Sequence, residues 1–252
     1  MDSLEVILSP AELPALAKRD LRNVTCVVFD VLRATSTFVT ALHHGAKAIV
    51  PVAEIAEALA LHRKQPDVLL GGERDGVKIR AAQAGGIDFD LGNSPREYTP
   101  EKVRGRTIVS TTTNGTRALR ACAGAQTVLA ASFLNLSATA KFIRQLRPAK
   151  ILLVCAGTRE NIATEDVLAA GALAEMLLPH SAGCVVSDSV ETALDSWRKA
   201  KSNLFAAVSG AENAQRLLAI PELRDDVAFC LQPDFFPLTA ELARDGTIRI
   251  LI

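Results

Sequence analysis

Short, uniformly apolar runs alternate with longer stretches of helical period along the first two thirds of the chain. Residues 4–8, 24–29, 46–52, 68–70, 107–109, 127–131 and 151–154 read as strands, several of them too continuously apolar to keep a wet face. Between them, residues 35–44, 55–64, 116–123 and 134–146 carry helical patterns. An Ala/Leu-rich helix over 163–178 and an amphipathic one over 190–208 follow. Buried strands alternating with helices predict an α/β fold, with a mainly parallel or mixed sheet flanked by helices in three α/β/α layers. The tail differs: residues 211–219 predict a helix, and "DVAFCLQPDFFPL" and "GTIRILI" predict two peripheral strands. The Gly- and Pro-bearing residues 71–100 form either an inserted lobe, which would make the molecule bilobed, or a long loop with a function of its own. With no repeat and no strong linker, residues 1–252 read as one domain.

Composition narrows the class. The chain is 49% hydrophobic but 4% aromatic, so its core is aliphatic. Lys+Arg and Asp+Glu are both 28, and this zero net charge gives no support to nucleic-acid or membrane binding by bulk charge. Any anion must be met by a local gathering of basic residues. The five cysteines are scattered without metal-ligand spacing, and Cys26, Cys155 and Cys230 sit in apolar runs that read as strands. An odd cysteine count, no signal-like start and no membrane-length apolar run predict a cytoplasmic protein. Homo-oligomerisation stays open.

Four polar segments lie where ligands collect in parallel sheets, beyond the carboxyl ends of strands. In "VTCVVFDVLRATST", Asp30 follows a strand, and Arg33 and Thr35 begin a helix whose amides favour anions. The plainer reading is that Asp30 and Arg33 merely pair to close the turn. Haloacid-dehalogenase-type phosphatase chemistry does not fit, because the second acid it needs two positions later is Leu32. In "IVSTTTNGTRAL", Thr111, Thr112, Thr113, Asn114, Gly115 and Arg117 assemble hydroxyls, amides and a guanidinium at a helix start, suited to phosphate or sulfonate. In "LLVCAGTRENIATEDVL", Arg159 supplies a further cation, while Glu165 and Asp166 either favour the helix dipole or hold a hard divalent cation such as Mg²⁺. Cys155 has no histidine near it in sequence and reads as a core thiol. In "GGERDGVKIRAAQAGGIDFDLGNSPREY", Arg74, Lys78, Asn93 and Ser94 add charges and turn groups. Arginines after several strand ends suit a small substrate with several anionic groups, since guanidinium meets oxyanions in a two-pronged way.

"DVLRATST", "GERDGVKI" with "GNSPREY", "TTTNGTRAL", "CAGTRENIATEDVLAAGA" and "DVAFCLQPD" together resemble the 2-phosphosulfolactate phosphatase (ComB) family, in order and over nearly the whole chain. The resemblance implies an α/β fold and a Mg²⁺-dependent hydrolysis of (2R)-2-phospho-3-sulfolactate to sulfolactate and phosphate, a step of coenzyme M biosynthesis in archaea. Asp30, Arg33 and Asp166 would then be catalytic, and Asp30, Glu165 and Asp166 the metal set. Asp30 would bind Mg²⁺ or attack phosphorus, and Arg33 would steady the transferring oxygens. A phosphatase for another small phospho-acid and a non-catalytic anion-binding protein remain the competing readings. The carboxylates separate them, because a pure anion binder gains nothing from Asp30, Glu165 and Asp166 beside its ligand.

Overall fold

Val24–Phe29 is buried at every position, and its side chains divide between two cores. Val27 and Phe29 join the cluster built with the helices Leu136–Leu146, Thr164–Leu177 and Asp188–Ala200. Cys26 and Val28 join the opposite cluster, built with Ala34–His43 and Gly115–Ala121. Alternation of side chains across a strand, with helices on both faces, gives the layered arrangement. The structure, a computed structural model, describes residues 1–251. Ile252, the last residue of "GTIRILI", lies outside the described residues.

The strands are β1 (Ser3–Ile7), β2 (Val24–Phe29), β3 (Ala48–Pro51), β4 (Leu69–Arg74), β5 (Val77–Lys78) and β6 (Thr107–Thr111). They continue as β7 (Thr127–Ala131), β8 (Lys150–Cys155), β9 (Val185–Val186), β10 (Ala240–Leu242) and β11 (Ile248–Ile250). They form one mixed 11-stranded sheet in the order β5-β4-β6-β3-β11-β10-β7-β2-β8-β1-β9. Two parallel blocks, β4-β6-β3 and β7-β2-β8-β1-β9, are joined by the antiparallel hairpin β10-β11. Ala34–His43 packs against both: its Phe38 and Leu42 share a cluster with Cys26 and Val28 of β2, Ile49 of β3 and Ile108 of β6.

The tail departs from expectation in two ways. "DVAFC" is not a strand but the end of the helix Arg224–Cys230, whose buried residues Asp226, Val227 and Cys230 follow helical spacing. The strand before "GTIRILI" is instead β10, beyond the expected stretch, and neither tail strand is peripheral. They fill the middle of the sheet, where the facing edges of β3 and β7 offer unpaired backbone groups to an antiparallel ribbon. Residues 190–208 also split, into Asp188–Ala200 and Leu204–Ser209, because Asn203 caps the second helix by accepting from the Ala206 amide at 3.1 Å. Residues 71–100 form no separate lobe. After the β4–β5 hairpin the chain returns along the sheet edge, bridging Gly71 to Leu91, and buries Ile79, Ala84 and Phe89 against Val52, Leu70 and Val109. Among the described residues, no helix is long and apolar enough to cross a membrane.

Candidate active site

The turn after β2 is built around Asp30. Its Oδ1 accepts from the Ala34 amide at 3.0 Å, and its carbonyl accepts from the Thr35 amide at 3.0 Å and the Thr35 hydroxyl at 2.9 Å. The same hydroxyl accepts from the Asp30 amide at 3.1 Å. Thr35 is fully buried and spends its oxygen on the turn, so the structure does not bring it to the cavity described below. Gly115 starts the neighbouring helix against this turn; a Cβ there would lie 2.7 Å from both Asp30 Oδ2 and Ala34 Cβ. Asp30 is 8% exposed. Burial, reinforced by the charges of Glu73 and Glu165 and opposed by the Ala34 amide, pushes its carboxyl up to about 7.

Arg33 does not pair with Asp30. Its Nη1 donates to Asp226 Oδ2 at 2.7 Å, and its Nη2 donates to the Gly76 carbonyl. The Arg33 and Asp226 side chains are 2% and 0% exposed. Ser94 donates its hydroxyl to Asp226 Oδ1 at 2.7 Å, which places Ser94 behind Arg33. Asp226 is a residue that sequence reading missed. Its signal was the four-residue spacing of Asp226 and Cys230 on one helix face, hidden while "DVAFC" read as a strand.

The segment after β6 divides its hydroxyls among different tasks. Thr111 donates to the Ala53 carbonyl at 3.0 Å and accepts from Arg74 Nη2 at 3.0 Å. Arg74 also donates to the carbonyls of Glu73 at 2.7 Å and Ala53 at 3.2 Å, so this guanidinium ties loops together. Thr112 accepts from the Thr116 amide at 3.3 Å in the first turn of Gly115–Ala121. Thr113 donates its amide and hydroxyl to Glu73 Oε1 at 2.8 and 2.9 Å, while Glu73 Oε2 accepts from the Gly76 amide at 2.7 Å. Glu73 thereby staples the hairpin tip to the Thr113 loop. Asn114 donates to the Gly157 carbonyl at 2.7 Å, linking this loop to the exit of β8. Arg117 pairs with exposed Glu160 at 3.1 Å, and Lys78 donates to the Asp90 carbonyl at 2.8 Å; neither lines the cavity.

At the β8 exit, Asp166 accepts from the Val31 amide through Oδ1 at 2.8 Å and from the Gly157 amide through Oδ2 at 3.0 Å. It pins the ends of β2 and β8 to each other. Glu165 accepts from Asn213 Nδ2 at 2.9 Å through Oε1, and its buried Oε2 has no donor. Burial raises both carboxyls, and the Glu165 and Asp30 charges add to the effect at Asp166. Cys155 is fully buried, and burial pushes its thiol well up, so it is not poised as a thiolate.

These loops enclose a cavity with about 530 Å³ of space not filled by protein, mouth included. Of the residues singled out in the sequence, Asp30, Arg33, Asn93, Thr113, Asn114 and Arg159 line it. Thr35, Arg74, Lys78, Ser94, Thr111, Thr112, Gly115, Arg117, Glu165 and Asp166 do not, although several hold those that do. Asn213 and Arg216, from the helix Glu212–Leu218, line it without having been singled out. No strand-end marker points to them.

The family model of 2-phosphosulpholactate phosphatase matches residues 10–245. A protein of Caldanaerobacter subterraneus subsp. tengcongensis named probable 2-phosphosulfolactate phosphatase is 39% identical over 234 residues, 92% of each chain. Proteins of the same name from Thermotoga maritima and Synechococcus sp. (strain RCC307) are 40% and 37% identical. The first alignment covers 84% of this chain and 86% of the relative, the second 96% and 97%. The chain belongs to the 2-phosphosulpholactate phosphatase family. That family name is the name of a phosphoric monoester hydrolase.

The resemblance to the family implies a divalent cation at this site. Among the described residues, no three His, Cys, Asp or Glu side chains converge as a ready-made metal cluster. Of the buried side-chain oxygens without a partner, however, three belong to residues in or beside this cavity: Glu165 Oε2, Asn93 Oδ1 and Asn114 Oδ1. Mg²⁺ takes oxygen ligands, commonly one or two carboxylates with water and substrate phosphate completing the shell. Asp30 and Glu165 fit that demand. Asp166 fits it less well, because each of its oxygens already serves a backbone amide. In this member of the 2-phosphosulpholactate phosphatase family, the metal set expected from the resemblance thus divides into two candidate holders and one residue that shapes the loops.

Proposed function

We propose that this chain is a Mg²⁺-dependent phosphatase that hydrolyses (2R)-2-phospho-3-sulfolactate to sulfolactate and phosphate. The observation that carries the reading is one cavity lined by Arg33, Arg159 and Arg216 together with the buried carboxyl of Asp30. A single phosphate would not require three guanidinium groups; a phosphate, a carboxylate and a sulfonate on one small molecule would. Asp30 in the cavity lining, and Glu165 behind it with a buried oxygen that has no donor, suit a cation and give nothing to a simple anion binder.

Hydrolysis breaks the bond between phosphorus and the C2 ester oxygen, joins phosphorus to a water oxygen and leaves a hydroxyl on C2. Arg33 is already held by Asp226 and Gly76, so its charge meets the phosphoryl oxygens without reorganising during the reaction. Asp30 and Glu165 would hold Mg²⁺, which when bound would supply charge neutralisation at those oxygens. Asp166 keeps the Val31 and Gly157 amides in place, which fixes the walls on either side of Asp30. Phosphate release from 2-phosphosulfolactate and a panel of small phospho-acids, with Mg²⁺ and with chelator, tests the proposal. Metal-dependent release that is lost in Asp30→Asn is the expected result. No release from any of them, by folded protein with Mg²⁺, would overturn it.

A further inference from the structure

Arg33 and Arg216 both approach a single residue, Gly76. The carbonyl of Gly76 accepts from Arg33, and a Cβ at Gly76 would lie 3.6 Å from Arg216 Cδ. The hairpin tip therefore supports both arginines, and both line the same cavity. Their electrostatic states differ. Arg33 is buried and held in a fixed pair with Asp226, which offsets part of its charge. Arg216 is 26% exposed at the side chain, donates one hydrogen bond to Asn213 Oδ1 at 2.7 Å, and only approaches Glu212, at 3.9 Å. Asn213 is itself fixed by Thr158 at 2.5 Å and Glu165 at 2.9 Å. Arg216 is thus an anchored guanidinium with donors to spare. Arg159 is a looser group, with 63% of its side chain exposed and Asp75 and Glu212 at 3.7 and 3.8 Å.

The chemistry of a C2-phosphorylated sulfo-acid suggests a division of labour. Its carboxylate is attached directly to the carbon that bears the phosphate, whereas the sulfonate is one carbon further away. A phosphoryl group beside Asp30 and Arg33 would keep the carboxylate in the inner part of the cavity and send the sulfonate toward the partly exposed side. We propose that Arg216 is the specificity-determining residue for the sulfonate, held by Asn213 and the tip of the β4–β5 hairpin. This inference rests on the phosphatase reading above and adds to it the residue that reads the non-reacting end of the substrate.

The test compares 2-phosphosulfolactate with 2-phospholactate, which keeps the phosphate and carboxylate but replaces the sulfonate by hydrogen. It uses full-length wild type, Arg216→Gln and Arg216→Lys, each checked for folding by thermal unfolding. A charge-assisted contact of this kind corresponds to roughly a ten- to hundredfold change. Arg216→Gln is expected to lose about that much kcat/KM on 2-phosphosulfolactate, mainly through KM, while staying within about twofold of wild type on 2-phospholactate. Arg216→Lys should recover part of the loss. Equal losses on both substrates, or no loss on either, would overturn the assignment and leave the phosphatase reading standing. A wild type that hydrolyses neither substrate would overturn that reading, and the inference with it.

Discussion

Removing Asp226 tests the part of the site that is hidden behind the cavity. Asp226→Ala leaves the Arg33 guanidinium without its ionic partner in a place where the two side chains are 2% and 0% exposed, and deprives the Ser94 hydroxyl of its acceptor. Breaking one side of a buried pair costs about 3–5 kcal/mol, most of it the uncompensated charge left behind. For a chain of 252 residues, at about 2–4 °C per kcal/mol, the melting temperature should fall by about 6–20 °C. Replacing both members by apolar residues, Arg33→Met with Asp226→Leu, should restore much of that stability, since apolar replacements of buried pairs are often neutral. The double variant should nonetheless lack turnover, because the Arg33 guanidinium that steadies the phosphoryl oxygens is gone. Chemical denaturation of the wild type, the two single variants and the double variant reads the coupling directly. A loss below about 1 kcal/mol in Asp226→Ala, or a double variant no more stable than the singles, would show that the pair is not what holds this corner together. Steady-state kinetics on Asp226→Ala adds the functional arm: KM should rise as Arg33 loses its fixed aim, and unchanged kinetics would remove Asp226 from any positioning role.

Asp30→Asn should lower kcat steeply at any substrate concentration, whereas Arg33→Ala should raise KM as well; two folded variants with unchanged kcat would reduce this segment to a turn. Excess EDTA should abolish phosphate release and Mg²⁺ restore it, and Mg²⁺ should raise the melting temperature of wild type but not of Asp30→Asn; full activity in EDTA would exclude the metal role. Cys155→Ala should keep most of its turnover, since the thiol is buried and its pKa raised; a loss matching that of Asp30→Asn in a folded variant would make it a participant. Gly115→Ala should impair turnover well beyond its effect on helix propensity, because the new methyl would sit 2.7 Å from Asp30 Oδ2 and Ala34 Cβ; kinetics like those of wild type would mean that the turn relaxes freely.

The readable part of the site was what followed strand ends. Asp30, Asn114 and Arg159 stand just beyond β2, β6 and β8, and a run of apolar residues is enough to mark such a position. Direction was not readable. Thr35, Thr111 and Thr112 have the composition of an anion cradle, but short hydroxyls reach nearby backbone first, and these three serve Asp30, Ala53 and Thr116. The pairing of Arg33 depended on a residue 193 positions away, which no local pattern reveals. Asn213, Arg216 and Asp226 come from short helices whose polar faces look like solvated surface until tertiary packing turns them inward. The same holds for β10 and β11. The apolar run "GTIRILI" declares β11, whereas β10 (Ala-Glu-Leu) has no such run, and the central placement of both depends on the edges that β3 and β7 leave open.

The tail therefore joins two tasks that could have been separate. Asn213 and Arg216 line the cavity, Asp226 holds Arg33, and the chain then forms the hairpin that joins the two parallel blocks. One block ends in the Asp30 turn and the β8 exit; the other carries Glu73 and leads into Thr113. A cavity between such loops is only as well defined as the register between the blocks. The β10–β11 ribbon provides that register through Ala240 opposite Ala130 and Ile248 opposite Ile49. Direct ties such as Asn114 to Gly157 cross the same gap at the site itself. Geometry at Asp30 is thus over-determined, by backbone pairing in the sheet and by hydrogen bonds between the loops. That is the preorganisation electrostatic catalysis requires: donors and charges must be in place before negative charge shifts among the phosphoryl oxygens.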